Sequence, residues 1–212
     1  MFKKIIQLLL PPIIPYLYLK FFSSLRKSLF DGDDFLFKKS LEGIKIYGEY
    51  GCGLSSKWML KNTNCKVISV DSSKEWVEKI KTENKKYLSK LKINHIDLGK
   101  VRRWGFPLSY VKSNNFQDYT DYIWKQSESP KLVLVDGRFR VCCFLTSLKF
   151  AEAGTKIIFD DYVNSPHYHF IEKYDSFVHL RGVGYMIPGK NDDKIRVVGM
   201  HVRIRRGVLF GV

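Results

Sequence analysis

The chain has 212 residues, which suits one domain with a full core plus some extra length. It is 45% hydrophobic and 15% aromatic, without repeats or low-complexity tracts, a composition that excludes fibrous and disordered classes. Its 36 Lys and Arg against 21 Asp and Glu leave a net charge of +15, a field that favours anionic partners (membrane surface, nucleic acid or phosphorylated substrate) without choosing among them.

Residues 1–30 differ from everything that follows. They carry Lys3, Lys4, Lys20, Arg26 and Lys27 but no acid, around an apolar run broken by Pro11, Pro12 and Pro15. Only about a dozen largely apolar positions lie between Gln7 and Lys20, short of the roughly 20 that a spanning helix needs. No small-residue cleavage site follows, so a secretory signal is not expected. Two readings stay open for this arm. It lies in the membrane interface through its basic flanks, its apolar residues and Tyr16 and Tyr18, or it packs on the domain as an added helix.

After Phe30-Asp31-Gly32-Asp33-Asp34, read as a turn-rich link, residues 31–212 form one domain of alternating runs. Strands are expected at 44–49, 66–71, 91–96, 131–136 and 156–160, and helices at 55–62, 73–90, 116–126 and 139–152. Leu132-Val133-Leu134-Val135 and Ile157-Ile158-Phe159 are short and uniformly apolar, as strands of a parallel sheet covered on both faces are. Helix 73–90 has Ser72 or Ser73 as its cap and Trp76, Val77 and Ile80 on one side. Segments 176–181 and 195–205 alternate like a closing antiparallel pair. The lysines at 79, 81, 85, 86, 90 and 92 read as a solvated helix face, without the aromatic interleaving of a single-strand nucleic-acid groove. Cys52, Cys65, Cys142 and Cys143 form no CxxC and read as reduced thiols, so zinc is not expected.

The most informative stretch is Ile46-Tyr47-Gly48-Glu49-Tyr50-Gly51-Cys52-Gly53-Leu54-Ser55-Ser56: a strand, an acid, Gly-x-Gly and a hydroxyl-rich helix start. A second strand ends in Asp71, whose carboxylate is placed to accept two hydrogen bonds from a ribose diol. A dinucleotide site would carry a third glycine where Ser56 stands, and Glu49 would repel a pyrophosphate. A carboxylate there suits a cationic ligand with an amino-acid head group. An NAD-dependent oxidoreductase is therefore the weakest of the enzyme readings.

Glu49-x-Gly51-x-Gly53 with Asp71 resembles the first two motifs of class I S-adenosylmethionine-dependent methyltransferases. The resemblance implies a doubly wound α/β domain with a mostly parallel seven-stranded sheet and an antiparallel C-terminal strand pair. It also implies S-adenosylmethionine as cofactor, bound by Gly51, Gly53 and Ser55, with Glu49 near the methionine moiety, Asp71 on the ribose and Asp97, after the third strand, near the adenine. Trp104-Gly105-Phe106-Pro107, Asp136 to Val141 and Phe159-Asp160-Asp161-Tyr162 extend the similarity over about residues 44–175, to a methyltransferase-like group of bacterial and large-virus proteins, several tied to glycan synthesis. The basic, Pro-Pro-containing opening is similar to that of bacterial methyltransferases of surface-polysaccharide pathways.

On the acceptor side, Asp136 leaves a buried strand beside Gly137. Asp160-Asp161 resembles the strand end of catechol-type O-methyltransferases, which implies Asp136, Asp160 and Asp161 as oxygen ligands for Mg²⁺. Arg138 is a departure, because a cation beside a metal is costly. Without a metal the acceptor hydroxyl needs a base, drawn from Asp136, Asp160, Asp161, His167 and His169, with His167 favoured since it follows the last strand's loop and histidine is the common general base. Arg138 and Arg140 are candidates for pairing with an acceptor carboxylate or phosphate, though Arg140 also reads as a helix-surface residue.

The expected function is an O-methyltransferase acting on a sugar or glycan hydroxyl, lipid-linked or nucleotide-linked. The expected location is cytoplasmic, with residues 1–30 docking it on an anionic membrane surface. Two alternatives remain: a nucleic-acid methyltransferase, weakened because Asp136-Gly137-Arg138-Phe139 stands where base-amine enzymes carry Asn/Asp-Pro-Pro-aromatic, and a catalytically silent, membrane-docked scaffold.

Overall fold

A computed structural model describes residues 29–30, 34–100, 107–162, 165–174, 176–180, 182–188, 195–198 and 200–201. Nearly all of the arm and the Trp104-Gly105-Phe106 motif lie outside the described residues. Helix α1 (Phe35–Ser40) leads into β1 (Ile46–Tyr50), α2 (Leu54–Asn62), β2 (Lys66–Asp71), α3 (Lys74–Glu83) and β3 (Leu91–His95). Then come α4 (Asn114–Asp121), β4 (Leu132–Val135), α5 (Arg140–Phe150) and β5 (Lys156–Phe159).

The first five strands are parallel in the order β3-β2-β1-β4-β5. The chain runs outward from β1 to β3 and returns to β4 on the other side of β1, so the topological switch point lies between β1 and β4. In open α/β sheets that is where ligands bind. Register then sets the site. Tyr50 pairs with Val70 and with Val135, and Val135 pairs with Phe159. Gly51, Asp71, Asp136 and Asp160 are therefore the next residues along one row at the carboxyl edge.

Strand alternation splits the core. Tyr47 and Glu49 point to the face covered by α1, α2 and α3, where Phe37, Met59, Leu60, Val77 and Ile80 are buried. Tyr50 points to the other face, among Tyr119, Ile123, Phe144 and Phe159 under α4 and α5. All four residues of β4 are fully buried, as a central two-sided strand requires.

Some elements depart from the sequence expectations. The Asp34 carboxylate, at the start of α1, accepts the Leu29 and Phe30 N–H groups at 2.8 and 3.2 Å. Ser73 caps α3 by accepting from the Trp76 N–H, but the helix stops at Glu83, and a 3₁₀ turn (Lys85–Lys90) completes the segment. The buried Asn84 side chain donates to the Ile80 carbonyl there. Val77 and Ile80 are buried as expected; Trp76 is exposed, with the Lys79 ammonium 4.7 Å from its ring.

Among the described residues the sheet has nine strands, where seven were expected. A 3₁₀ segment (Pro166–Tyr174) leads to β6 (Ser176–Leu180), β7 (Gly182–Pro188), β8 (Ile195–Val198) and β9 (Met200–His201). Strands β6 and β8 run parallel, not antiparallel, and β7 is the strand antiparallel to β5, β6 and β8. Among the described residues no helix is long and apolar enough to cross a membrane.

Candidate functional site

The loop after β1 is held by backbone and carboxylate. Gly51 has φ +89, a left-handed conformation open to glycine, and its N–H donates to the Val70 carbonyl. A side chain on Gly51 would lie 2.8 Å from the Gly137 Cα, and one on Gly137 would lie 2.4 Å from the Tyr119 hydroxyl and 2.7 Å from the Gly51 nitrogen. The loops after β1 and β4 thus touch through two glycines. Gly53 differs: nothing lies within 4 Å of the position a Cβ would take.

Beneath this loop Glu49 is fully buried and clamps the start of α2. Its carboxylate accepts from the hydroxyls of Tyr47 at 3.0 Å and Ser55 at 2.8 Å, and from Ser56. The Ser56 hydroxyl oxygen in turn accepts the Gly53 N–H at 3.0 Å, satisfying one of the orphan donors at the helix start. Burial raises the Glu49 pKa from 4.5 to about 7, against the pull of Ser56, Ser55, Ser69 and Tyr47. Asp71 accepts the Cys52 N–H at 2.8 Å and the Ser73 N–H at 2.7 Å, one on each oxygen, so it braces both helix-leading loops while remaining partly accessible.

Asp97 stands exposed after β3. Its carboxylate accepts the Gly99 N–H at 2.8 Å and faces Lys112 at 3.4 Å, and these partners hold it below the usual range. Beside it a pocket of about 380 Å³ is lined in part by Asn94, His95, Ile96, Asn115 and Tyr122.

The structure brings Asp136, Asp160 and Asp161 together, with carboxylate oxygens within 4.8 Å of one another. Two-fifths of the Asp136 side chain is solvent-accessible, yet it sits low in a crevice crowded by protein, so its carboxyl behaves as a buried one. Burial and mutual repulsion raise both Asp136 and Asp160. Asp160 is the more strongly raised of the two.

Arg140 fills this cluster, which corrects its reading as a helix-surface residue. It donates to the Asp136 carboxylate at 2.7 Å, to the Asp161 carboxylate at 2.9 Å and to the Asp160 backbone carbonyl at 2.7 Å. Burial opposes its charge, but the three aspartates outweigh burial and raise its pKa. Hard oxygen donors suit Mg²⁺ in kind. The position such an ion would take is held by a guanidinium, so the Mg²⁺ expectation does not fit and no step is derived through a metal. The Arg138 guanidinium has no polar partner among the described residues; its backbone N–H donates to the Tyr119 hydroxyl at 3.1 Å.

His167 is exposed on the Pro166–Tyr174 segment with its ring 4.1 Å from that of Tyr168. His169 is half-buried, its Nε2 3.1 Å from the Tyr162 carbonyl. The sequence offered Arg140 as a partner for the acceptor, not for the aspartates, and gave no role to Tyr119. A signal existed for the first: a lone cation opening a helix, against the helix dipole, four residues after a strand-end acid.

No protein-family model matches the chain, and no curated protein sequence does. Among solved structures, it is similar to a methyltransferase-like protein of Silicibacter pomeroyi, with 26% identity, a TM-score of 0.60, and coverage of 71% of this chain and 81% of that one. It is more distantly similar to an O-methyltransferase of Bacillus cereus in complex with SAH (15%, TM-score 0.48, 79% of each chain). The C-terminal domain of precorrin-6Y C5,15-methyltransferase from Rhodobacter capsulatus is comparably distant (13%, TM-score 0.47, 78% of this chain and 87% of that one). Strand order, switch point and the Gly-x-Gly turn define a Rossmann-like fold of the class I S-adenosylmethionine-dependent methyltransferase type. The last two similarities say nothing about which acceptor this chain takes.

Proposed function

We propose that the chain is an S-adenosylmethionine-dependent O-methyltransferase acting on a hydroxyl of a sugar or glycan that also carries an anionic group. The observation that carries this reading is the row of Gly51, Asp71, Asp136 and Asp160 along the switch-point edge, with Glu49 directly beneath it. These residues fit the cofactor: open space at Gly53 admits a ligand to the backbone, Asp71 keeps lone pairs for a ribose diol, and Glu49, buried beneath the loop, lends negative charge toward an ammonium group only in its ionised form. When bound, the cofactor supplies a methyl group already activated on a sulfonium. The chain's own residues then align the acceptor oxygen, exclude water and accept its proton.

Asp136 suits the proton-accepting role better than His167. It stands in the crevice, and its raised pKa makes it a stronger base than an ordinary carboxylate, whereas His167 is exposed beyond β5. Arg138 supports an anionic acceptor, since Arg140 is committed and Arg138 is not. A lipid-linked or nucleotide-linked sugar has the required charge.

The basic face over α1, α2, α3 and the Lys85–Lys90 turn supports docking on an anionic membrane. Lysines there sit over exposed or half-buried aromatics: Lys38 over Trp58 at 5.6 Å, Lys79 over Trp76 at 4.7 Å and Lys90 over Tyr87 at 5.0 Å.

The test is calorimetric titration with S-adenosylmethionine, with NAD and an Asp71→Ala variant as controls. Binding of the methyl donor, absent with NAD and lost in the variant, is the expected result. A folded protein that binds neither compound would leave the scaffold reading in its place.

A further inference from the structure

We propose that Arg140 is the resident cation of the Asp136, Asp160 and Asp161 cluster, standing where a divalent ion would otherwise sit, and that this chain transfers its methyl group without a metal. The second half of that statement rests on the methyltransferase reading; the first half does not.

The geometry is specific to a guanidinium. Its planar fork reaches Asp136 and Asp161 with two different nitrogens, at 2.7 and 2.9 Å, while the nitrogen that meets Asp161 also donates to the Asp160 carbonyl at 2.7 Å. The side chain is only 15% exposed. Rotating it out to admit an ion would strand a cation and break three charge-assisted bonds at once.

The backbone on both sides is shaped for this contact. Phe139 and Asp161 are the described non-glycine residues with positive φ, at 52° and 59°. A left-handed phenylalanine is an uncommon and strained conformation, and it sits immediately before Arg140, at the cap of α5. Its ring is held by Phe116 at 4.7 Å and Tyr119 at 6.2 Å. The left-handed Asp161 carries one of the two carboxylates that the guanidinium binds. Two strained residues thus flank one ion-pair network, and an arginine opens a helix that has no acid in its first turn. Neither local propensity nor the helix dipole would put it there; the three aspartates do. Arg140 acts through them as a positioning residue, fixing the Asp136 carboxylate toward the acceptor side of the crevice.

Two measurements on the full chain test this. In the first, Mn²⁺ is titrated into wild type, Arg140→Met and the double variant Arg140→Met/Asp160→Asn, with free Mn²⁺ read by electron paramagnetic resonance. Wild type is expected to bind no tighter than about 1 mM, and Arg140→Met at least about tenfold tighter, with the gain lost in the double variant. Tight wild-type binding that Asp160→Asn removes would overturn the proposal, as would a folded Arg140→Met chain that binds no better than wild type.

In the second, the Arg140 side-chain resonances of ¹⁵N-arginine-labelled wild type are followed as Mg²⁺ is added to about 10 mM, a range that covers weak hard-cation sites. Unchanged signals support a resident guanidinium, and their displacement refutes it, whether or not Arg140→Met folds. Calorimetry with S-adenosylmethionine on the same samples keeps the two readings apart. Failure there would end the methyltransferase reading and leave the cation result standing.

Discussion

Glu49→Gln isolates the energetic cost of a carboxyl buried under the cofactor loop. In the folded chain Glu49 titrates near about 7, while in the unfolded chain it returns to its ordinary 4.5. Between those values the unfolded state has released its proton and the folded state still holds it, so the native form binds more protons and stability falls as pH rises. The gap corresponds to about 3 kcal/mol, absent below about pH 4.5 and fully developed above about pH 7. Glutamine keeps the shape and cannot ionise: its carbonyl oxygen can still accept from Tyr47 and Ser55, while its amide NH2 donates to the Ser56 hydroxyl instead of accepting from it. Urea unfolding of both chains, followed by circular dichroism at steps from about pH 5 to about pH 8, gives the difference directly. The variant should gain on wild type by up to about 3 kcal/mol across that range, while other groups cancel. A difference that stays flat with pH would show that Glu49 is not held protonated by burial, and the argument would fail. The same titration bears on function. If Glu49 faces the ammonium of the methyl donor, binding favours the ionised form, and wild-type affinity should weaken by up to about tenfold per pH step below 7 while the variant's stays level.

Three further substitutions separate fold from site. Gly137→Ala would drive a methyl group against the Tyr119 hydroxyl and the Tyr50–Gly51 backbone, all within 2.7 Å, so thermal unfolding should show a loss of about 3 kcal/mol or failure to fold. Gly53→Ala meets nothing within 4 Å and should leave stability within about 0.5 kcal/mol of wild type, while weakening S-adenosylmethionine binding at least about tenfold in calorimetry. Unchanged affinity in that variant would mean that the open space at Gly53 is not the cradle. Asp71→Ala removes the acceptor for the Cys52 and Ser73 N–H groups, and should cost about 2 kcal/mol in urea unfolding besides abolishing cofactor binding.

The parallel half of the fold was legible because its strands are uniformly apolar and each ends in a residue of different character. Asp71, Asp136 and Asp160 mark strand ends without any tertiary information, and the glycine turn at Gly51 marks the first. The tail was not legible in the same way. Gly182, Gly184 and Pro188 carry turn chemistry, which hid β7, the strand that separates β6 from β5 and makes the final pairings antiparallel. Helix α1 was hidden by Asp31 to Asp34, whose composition reads as a turn, although the Asp34 carboxylate at the helix start accepts from the Leu29 and Phe30 N–H groups. Trp76 was placed on one side with Val77 and Ile80, but α3 turns those two inward and leaves the indole to Lys79. Arg140 shows the limit most clearly. Its partners at 160 and 161 are twenty residues away in sequence and become neighbours only through the β4–β5 register.

Under the proposed function, that register gives a chain of net charge +15 a complement for each of two ligands of opposite sign. Glu49, Asp71, Asp136, Asp160 and Asp161 all gather at one edge of the sheet, where Arg140 offsets part of their charge. The cleft floor is therefore acidic inside a basic protein. A ligand with a sulfonium and an ammonium group finds its complement on the floor, at short range and in a low-dielectric crevice where charge counts most. An anionic acceptor is drawn instead by the long-range field of the lysine-rich exterior and meets Arg138 at the rim. Raising the salt should therefore slow capture of the acceptor far more than capture of the methyl donor, since screening acts on the exposed charges and spares the buried ones. Stopped-flow association rates for the methyl donor that fall as steeply with ionic strength as those for a phosphorylated sugar would contradict this division of labour.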